Sequence, residues 1–248
     1  MKKTVCFLLI IIIFSSVALA DDKEIVAVSD PWPPYVNPMH PNDGLSMEIV
    51  RASYKTQGYT VKLEYVPWVR AEKGVMEGKY DILPNTWMTE ERKKKLHFSA
   101  PYVVNVVRFI KRKDDPFEYD GLSSLNGKIV GTVRGYGYGD DFLKADNFRR
   151  EEADSFILNI KKLTHPSKRI DLTLEDEIVA RANIVNNDPT LLDEIAFTKK
   201  ALTLRNLYVC CGFKNPRHDE LINAFNKGLI EIKANGVYEA IKTNYGIR

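Results

Sequence analysis

Tyr80-Asp-Ile-Leu-Pro-Asn-Thr-Trp-Met-Thr-Glu-Glu-Arg-Lys-Lys-Lys-Leu-His-Phe-Ser-Ala-Pro-Tyr102 is the stretch on which the reading of this chain turns. It predicts a strand, a short polar loop, one helical turn and then a second extended segment. Thr89 suits an N-cap, and Glu90 and Glu91 suit the positive end of a helix. Arg92 then falls in the first turn, where the helix dipole disfavours a cation. On this stretch alone, a solvated arginine paired with Glu90 or Glu91 is the simpler account. An anionic ligand that draws a guanidinium to this place is the alternative.

Working outward, the elements alternate. Glu24 to Ser29 reads as a strand that ends in the proline-stiffened loop Asp30-Pro-Trp-Pro-Pro-Tyr35. Ser46 can cap a helix through Gln57, with Gly58 as its stop. Thr60 to Val66 is the next strand, Trp68 to Glu77 the next helix, and Tyr80 to Leu83 a third strand. This rhythm predicts a parallel sheet with helices packed on it. A second unit follows the extended Val103 to Lys111. It contains the strand Ile129 to Val133, the turn Arg134-Gly-Tyr-Gly-Tyr-Gly-Asp140 and a helix after it, then a helix at Ser155 to Leu163. Leu221, Phe225, Leu229 and Ile232 mark the apolar face of a late helix, and Val237 to Tyr245 makes a shorter one.

The first twenty residues read as a cleaved export signal. Lys2 and Lys3 precede an apolar run from Val5 to Phe14, and Ala18-Leu19-Ala20 is a small-x-small cleavage site. That run is short of the ~20 residues a membrane span takes, and no later segment approaches it, so a soluble mature protein is expected. Without Lys2 and Lys3, the 36 basic and 33 acidic side chains come close to balance, which gives no support for a nucleic-acid partner. Cys210 and Cys211 are neighbours whose side chains point to opposite faces of an extended segment, so no disulfide is expected between them. The four histidines, His40, His97, His165 and His218, show no metal-ligand spacing, and neither a metal nor a cofactor is expected. The glycine-rich turn at Arg134 lacks the lysine and hydroxyl of a phosphate-binding loop.

Asp81, the polar loop, Thr89-Glu-Glu-Arg92 and Phe98-Ser-Ala-Pro-Tyr102 together resemble the bacterial solute-binding proteins that serve polar amino-acid ABC transporters. The similarity covers nearly all of the chain after the signal. It implies an α/β, two-lobed periplasmic binding protein-like fold of type II, with mainly parallel sheets flanked by helices and a ligand cleft between the lobes. It places lobe 1 at 21–104 and 210–248 and lobe 2 at 105–209, with crossings near Val103–Asn105 and Tyr208–Cys210. The expected function is capture of a small polar solute, an amino acid or related carboxylate, by a periplasmic monomer that delivers it to an inner-membrane ABC permease.

Ligands of open α/β sheets bind at the carboxyl ends of strands, and that rule gathers the candidate site. By the resemblance Arg92 grips a ligand carboxylate, a two-pronged geometry that lysine cannot copy. Asp176 matches the family's partner for the ligand ammonium; capping the following helix is its other reading. Asp30 matches a position that touches polar ligands, with capping of its own loop as the alternative. Trp32, Trp68 and Trp87 can form an aromatic wall, although Trp68 is as readily a core residue. Asn85 precedes Trp87, and Arg134 and Tyr136 are expected to face the cleft. Trp87 departs from the family, which commonly has a small hydroxyl residue there, and its indole can donate only once. Two other functions fit the same scaffold: a small-molecule lyase or dehydratase with Glu175 or Asp176 as its acid, and a sensing module for a membrane receptor.

Overall fold

The computed structural model describes residues 23–246, and the expected export signal lies outside them. The first elements are β1 (Glu24–Ser29), α1 (Leu45–Thr56), β2 (Thr60–Tyr65), α2 (Trp68–Met76), β3 (Leu83–Trp87), α3 (Glu90–Lys93) and β4 (Leu96–Phe98). Next come β5 (Val103–Arg112), β6 (Ile129–Val133), α4 (Asp140–Lys144), β7 (Arg149–Ala153), α5 (Phe156–Thr164), β8 (Leu172–Asp176) and α6 (Glu177–Asn187). The long β9 (Ile195–Gly212) leads to α7 (His218–Ala234) and α8 (Val237–Asn244). No helix among the described residues is long and apolar enough to cross a membrane.

Parallel pairing is less extensive than the expected sheet: β3 runs antiparallel to β9, and the residues just before it meet β1 through a single parallel bridge, Ala27–Ile82. β1 lies beside β2 from Glu24–Thr60 to Ser29–Tyr65, and β6 lies between β7 and β8. β1 and β2 form a sheet of their own, and the other strands form a second sheet built on two long antiparallel strands: Val103 of β5 faces Leu207 of β9 at one end, and Arg112 faces Ile195 at the other. β3 and β4 add to the far end of β9, and β8 adds to β5. The predicted apolar face of α7 is buried at Leu221, Phe225, Leu229 and Ile232. Gly228 lets α7 approach α1 closely, since a Cβ there would stand 1.9 Å from the Ser53 carbonyl oxygen. Cys210 and Cys211 are free, buried and on opposite faces of β9, each packed in a different hydrophobic cluster.

Two local expectations need correction. The third strand is not Tyr80 to Leu83 but Leu83 to Trp87, so Asn85 and Trp87 sit on it rather than in a loop after it. Pairing with β9 holds this segment extended, Thr86 opposite Tyr208 and Trp87 opposite Leu207. Ser46 does not cap α1: Gly44 holds the cap position, and the Ser46 hydroxyl accepts a hydrogen bond from the Tyr102 phenol at 2.9 Å. A buried hydroxyl inside the helix found a tertiary partner instead of the helix end.

Candidate functional site

The loop after β1, the start of α2, the end of β3, α3 and the glycine-rich turn after β6 converge on one cleft. It is narrow and lined by Asp30, Trp32, Trp68, Asn85, Trp87, Arg92, Tyr136 and Gly137. Seven of the nine residues singled out in the sequence therefore meet there.

Arg92 is positioned by α3, whose N-cap Thr89 accepts the Arg92 backbone N–H at 3.2 Å. Its buried guanidinium carries its own anion, with Nε donating to Glu72 Oε1 at 2.6 Å. One terminal nitrogen donates to the Trp87 carbonyl and the other to the Gly135 carbonyl, each at 2.8 Å. These bonds occupy three of the five guanidinium N–H groups. The cation also lies 5.0 Å over the Trp68 ring, within cation–π reach. On its other side a Cβ at Gly137 would come within 2.6 Å of Arg92, so only glycine lets the turn lie this close. Glu72 was not singled out in the sequence. The signal was its place one helical turn after Trp68, which puts both on one face of α2.

The aromatic residues form a connected wall. The Trp87 ring meets Trp32 at 5.5 Å and Tyr136 at 5.9 Å in edge-to-face contacts, and Trp68 meets Tyr136 at 6.1 Å. Such contacts fix ring orientation in addition to burying area. Trp87 donates its indole N–H to Asn105 Oδ1 at 2.7 Å, so the one donor it has is committed inside the protein. Trp68 likewise donates to the Gly135 carbonyl at 3.1 Å. Trp32 is different: its buried indole N–H is turned toward the Glu175 carboxyl, short of a well-formed hydrogen bond.

The cleft is also acidic. Burial pushes the Asp30 carboxyl up to about 7, against hydrogen bonds from its surroundings that lower it. The Tyr136 phenol donates to Asp30 Oδ2 at 3.2 Å. Glu175, wholly buried beside Trp32, is pushed well above the carboxylate range by burial. One of its oxygens accepts the Asp176 backbone N–H at 2.8 Å, and the other has no hydrogen bond. Two sequence-predicted residues lie elsewhere. Asp176 caps α6, accepting the N–H groups of Ile178 and Val179 through Oδ1 and that of Val106 through Oδ2. Arg134 turns outward and pairs with Glu152 and Asp154, each at 3.2 Å.

A family model of the bacterial extracellular solute-binding proteins, family 3, matches residues 25–247. The chain belongs to this family. An arginine-binding extracellular protein of Bacillus subtilis, ArtP, is 24% identical over 82% of this chain and 77% of its own length. The L-cystine-binding protein TcyJ of Escherichia coli is 23% identical over 82% of this chain and 73% of its own length. Among solved structures, a mutant of ArgBP from T. maritima superposes with a TM-score of 0.74 at 22% identity, covering 90% of this chain and 94% of its own. A histidine kinase sensor domain reaches a TM-score of 0.76 at 21% identity, covering 89% of this chain and 95% of its own.

The chain is thus a solute-binding protein with the two-lobed fold of its relatives, and its cleft lies where the glycine-rich turn after β6 closes on β1, α2 and β3. The closure is hydrogen-bonded from both sides. Trp68 and Arg92 donate to Gly135, Tyr136 donates to Asp30, and Arg205 of β9 donates to the Met88 carbonyl. Besides Glu72, the sequence reading missed Gly137 as the residue that admits Arg92 to the turn and Asn105 as the partner that holds Trp87. Neither had a signal in spacing, because each acts across a contact between distant segments.

Proposed function

We propose that this binding protein captures a small solute of the amino-acid class that carries a cationic group, and that it does so in the periplasm for an inner-membrane ABC permease. One observation carries the reading: a single cleft brings the buried Arg92 together with Asp30 inside a wall of three tryptophans and Tyr136. Asp30 takes the cationic end of the solute, with the aromatic faces adding attraction for it. Arg92 offers its two remaining N–H groups to a carboxylate, in competition with Glu72. Asn85 supplies a neutral hydrogen bond. Asp176 and Arg134 act at one remove, the first by ordering α6 and the second by anchoring the turn to its flank. Of the described residues, those within 21–104 and 210–248 form one lobe and 105–209 the other, and bending of β5 and β9 opens the cleft.

The test is a thermal-shift panel of basic amino acids, their decarboxylated amines, neutral amino acids and small organic acids. A solute at 100-fold its dissociation constant adds about 2.7 kcal/mol, which raises Tm by roughly 5–10 °C in a chain of this size. Basic amino acids are expected to stabilise most. Glu72→Gln frees Arg92 and should tighten binding of carboxylate-bearing solutes several-fold while leaving carboxylate-free amines unchanged. An equal response of both classes to Glu72→Gln removes Arg92 from carboxylate recognition. The raised Asp30 also fits a lyase, whose general acid needs a pKa near the working pH. Recovery of the solute chemically unchanged decides for binding, and turnover decides for the lyase.

A further inference from the structure

His97 meets the neighbouring pair His218 and Asp219, far along the chain from it, outside the solute cleft. His97 lies on β4 opposite Cys211 of β9, and His218 and Asp219 begin α7. The two histidines are 121 residues apart, which is why spacing along the sequence concealed them. Their Nδ1 atoms are 3.3 Å apart, and Asp219 Oδ1 lies 3.1 Å from the first and 3.2 Å from the second. The three atoms make a nearly equilateral triangle.

We propose that this triangle binds a divalent first-row transition metal of the zinc type and thereby clamps β4 to α7. Tetrahedral zinc bonds of about 2.0–2.1 Å put neighbouring ligand atoms about 3.3 Å apart, so the triangle matches three corners of such a site. The donor set agrees with this choice. Two imidazoles and one carboxylate suit zinc, cobalt, nickel or copper, whereas calcium and magnesium take mostly oxygen ligands in larger numbers. Phe213 holds both rings in place, stacked 6.1 Å from His97 and edge-on 5.4 Å from His218. The half-buried rings and exposed Asp219 leave the fourth corner open to solvent, a three-ligand arrangement with one exchangeable position. The amino end of α7 disfavours a cation, and the charge of Asp219 in its first turn offsets that, Glu220 being paired with Arg217.

Two measurements on the full chain, purified without a polyhistidine tag and stripped of metal, test the proposal. Cobalt(II) is expected to bind in a one-to-one ratio with the intense visible absorption of a tetrahedral site, and zinc should displace it and raise Tm. A pale six-coordinate spectrum, or no change in Tm with zinc, overturns the proposal without recourse to any variant. In calorimetry with zinc, His97→Gln and His218→Gln should each weaken binding by roughly tenfold or more. Zinc affinity unchanged in both variants also overturns it, and would leave Asp219 as a simple acceptor for two imidazole N–H groups.

Discussion

At the scale of single residues, the cleft is defined by which polar groups are already committed. Arg92 has Glu72 and two carbonyls, and Trp87 has Asn105. Asp30 has only the Tyr136 phenol and the carboxyl's own surroundings, and burial holds it near 7 instead of 3.8. The folded chain therefore keeps a proton that the unfolded chain releases between those two values. Asp30's contribution to stability is intact below the lower value and is lost as the pH rises through about 7. In the solute-free protein, Asp30→Asn should leave Tm unchanged in acid and raise it by about a few degrees in mildly alkaline buffer. A cationic solute needs the ionised form, so wild-type affinity should climb as the pH rises to about 7 and then level off. The Asn variant should bind more weakly and without that slope. A wild-type affinity flat across this window, followed by calorimetry, would remove Asp30 from the solute contact.

At the scale of elements, sequence reading succeeded where a local rule had no competitor. Thr89 caps α3 as expected, and α7 buries the apolar face its periodicity predicted. It failed where a partner strand overrode local chemistry: Pro84 and Asn85 are poor strand formers, yet they lie on β3, at an irregularity between Leu83 and Thr86, which β9 pairs through Cys210 and Tyr208. β9 itself went unread because Lys199, Lys200, Arg205 and Asn206 interrupt its apolar pattern along 18 residues. The glycine-rich turn was legible as a turn, but its closeness to Arg92 was not. Gly137→Ala should force the turn away from Arg92 and Thr89, whose atoms lie within 3.0 Å of the added methyl. We expect solute affinity to fall by about tenfold or more with Tm little changed in the solute-free protein. An undiminished affinity in calorimetry would show that the turn does not close on the bound solute in this way.

At the scale of the whole molecule, β5 and β9 run side by side through the second sheet, and the closing hydrogen bonds all cross between segments far apart in sequence. On the proposed lobe assignment, such a cleft closes by hinge motion about β5 and β9. Solute should therefore reduce the radius of gyration in solution scattering, and an unchanged radius in the presence of a saturating solute would mean that the cleft is already shut when empty. By itself the sequence determined the alternation of strands and helices, the family, the converging loops and the residue types that line the cleft, since these depend on periodicity, capping and turn chemistry within short windows. Tertiary structure alone decided that Arg92 meets Glu72, that Trp87 gives its one donor to Asn105, that Asp176 caps α6 and Arg134 faces outward, and that His97 meets His218. Each of those outcomes is a choice among partners that local sequence leaves equally available. The choice is made by packing, which brings distant donors and acceptors within hydrogen-bond reach and excludes the water that would otherwise satisfy them.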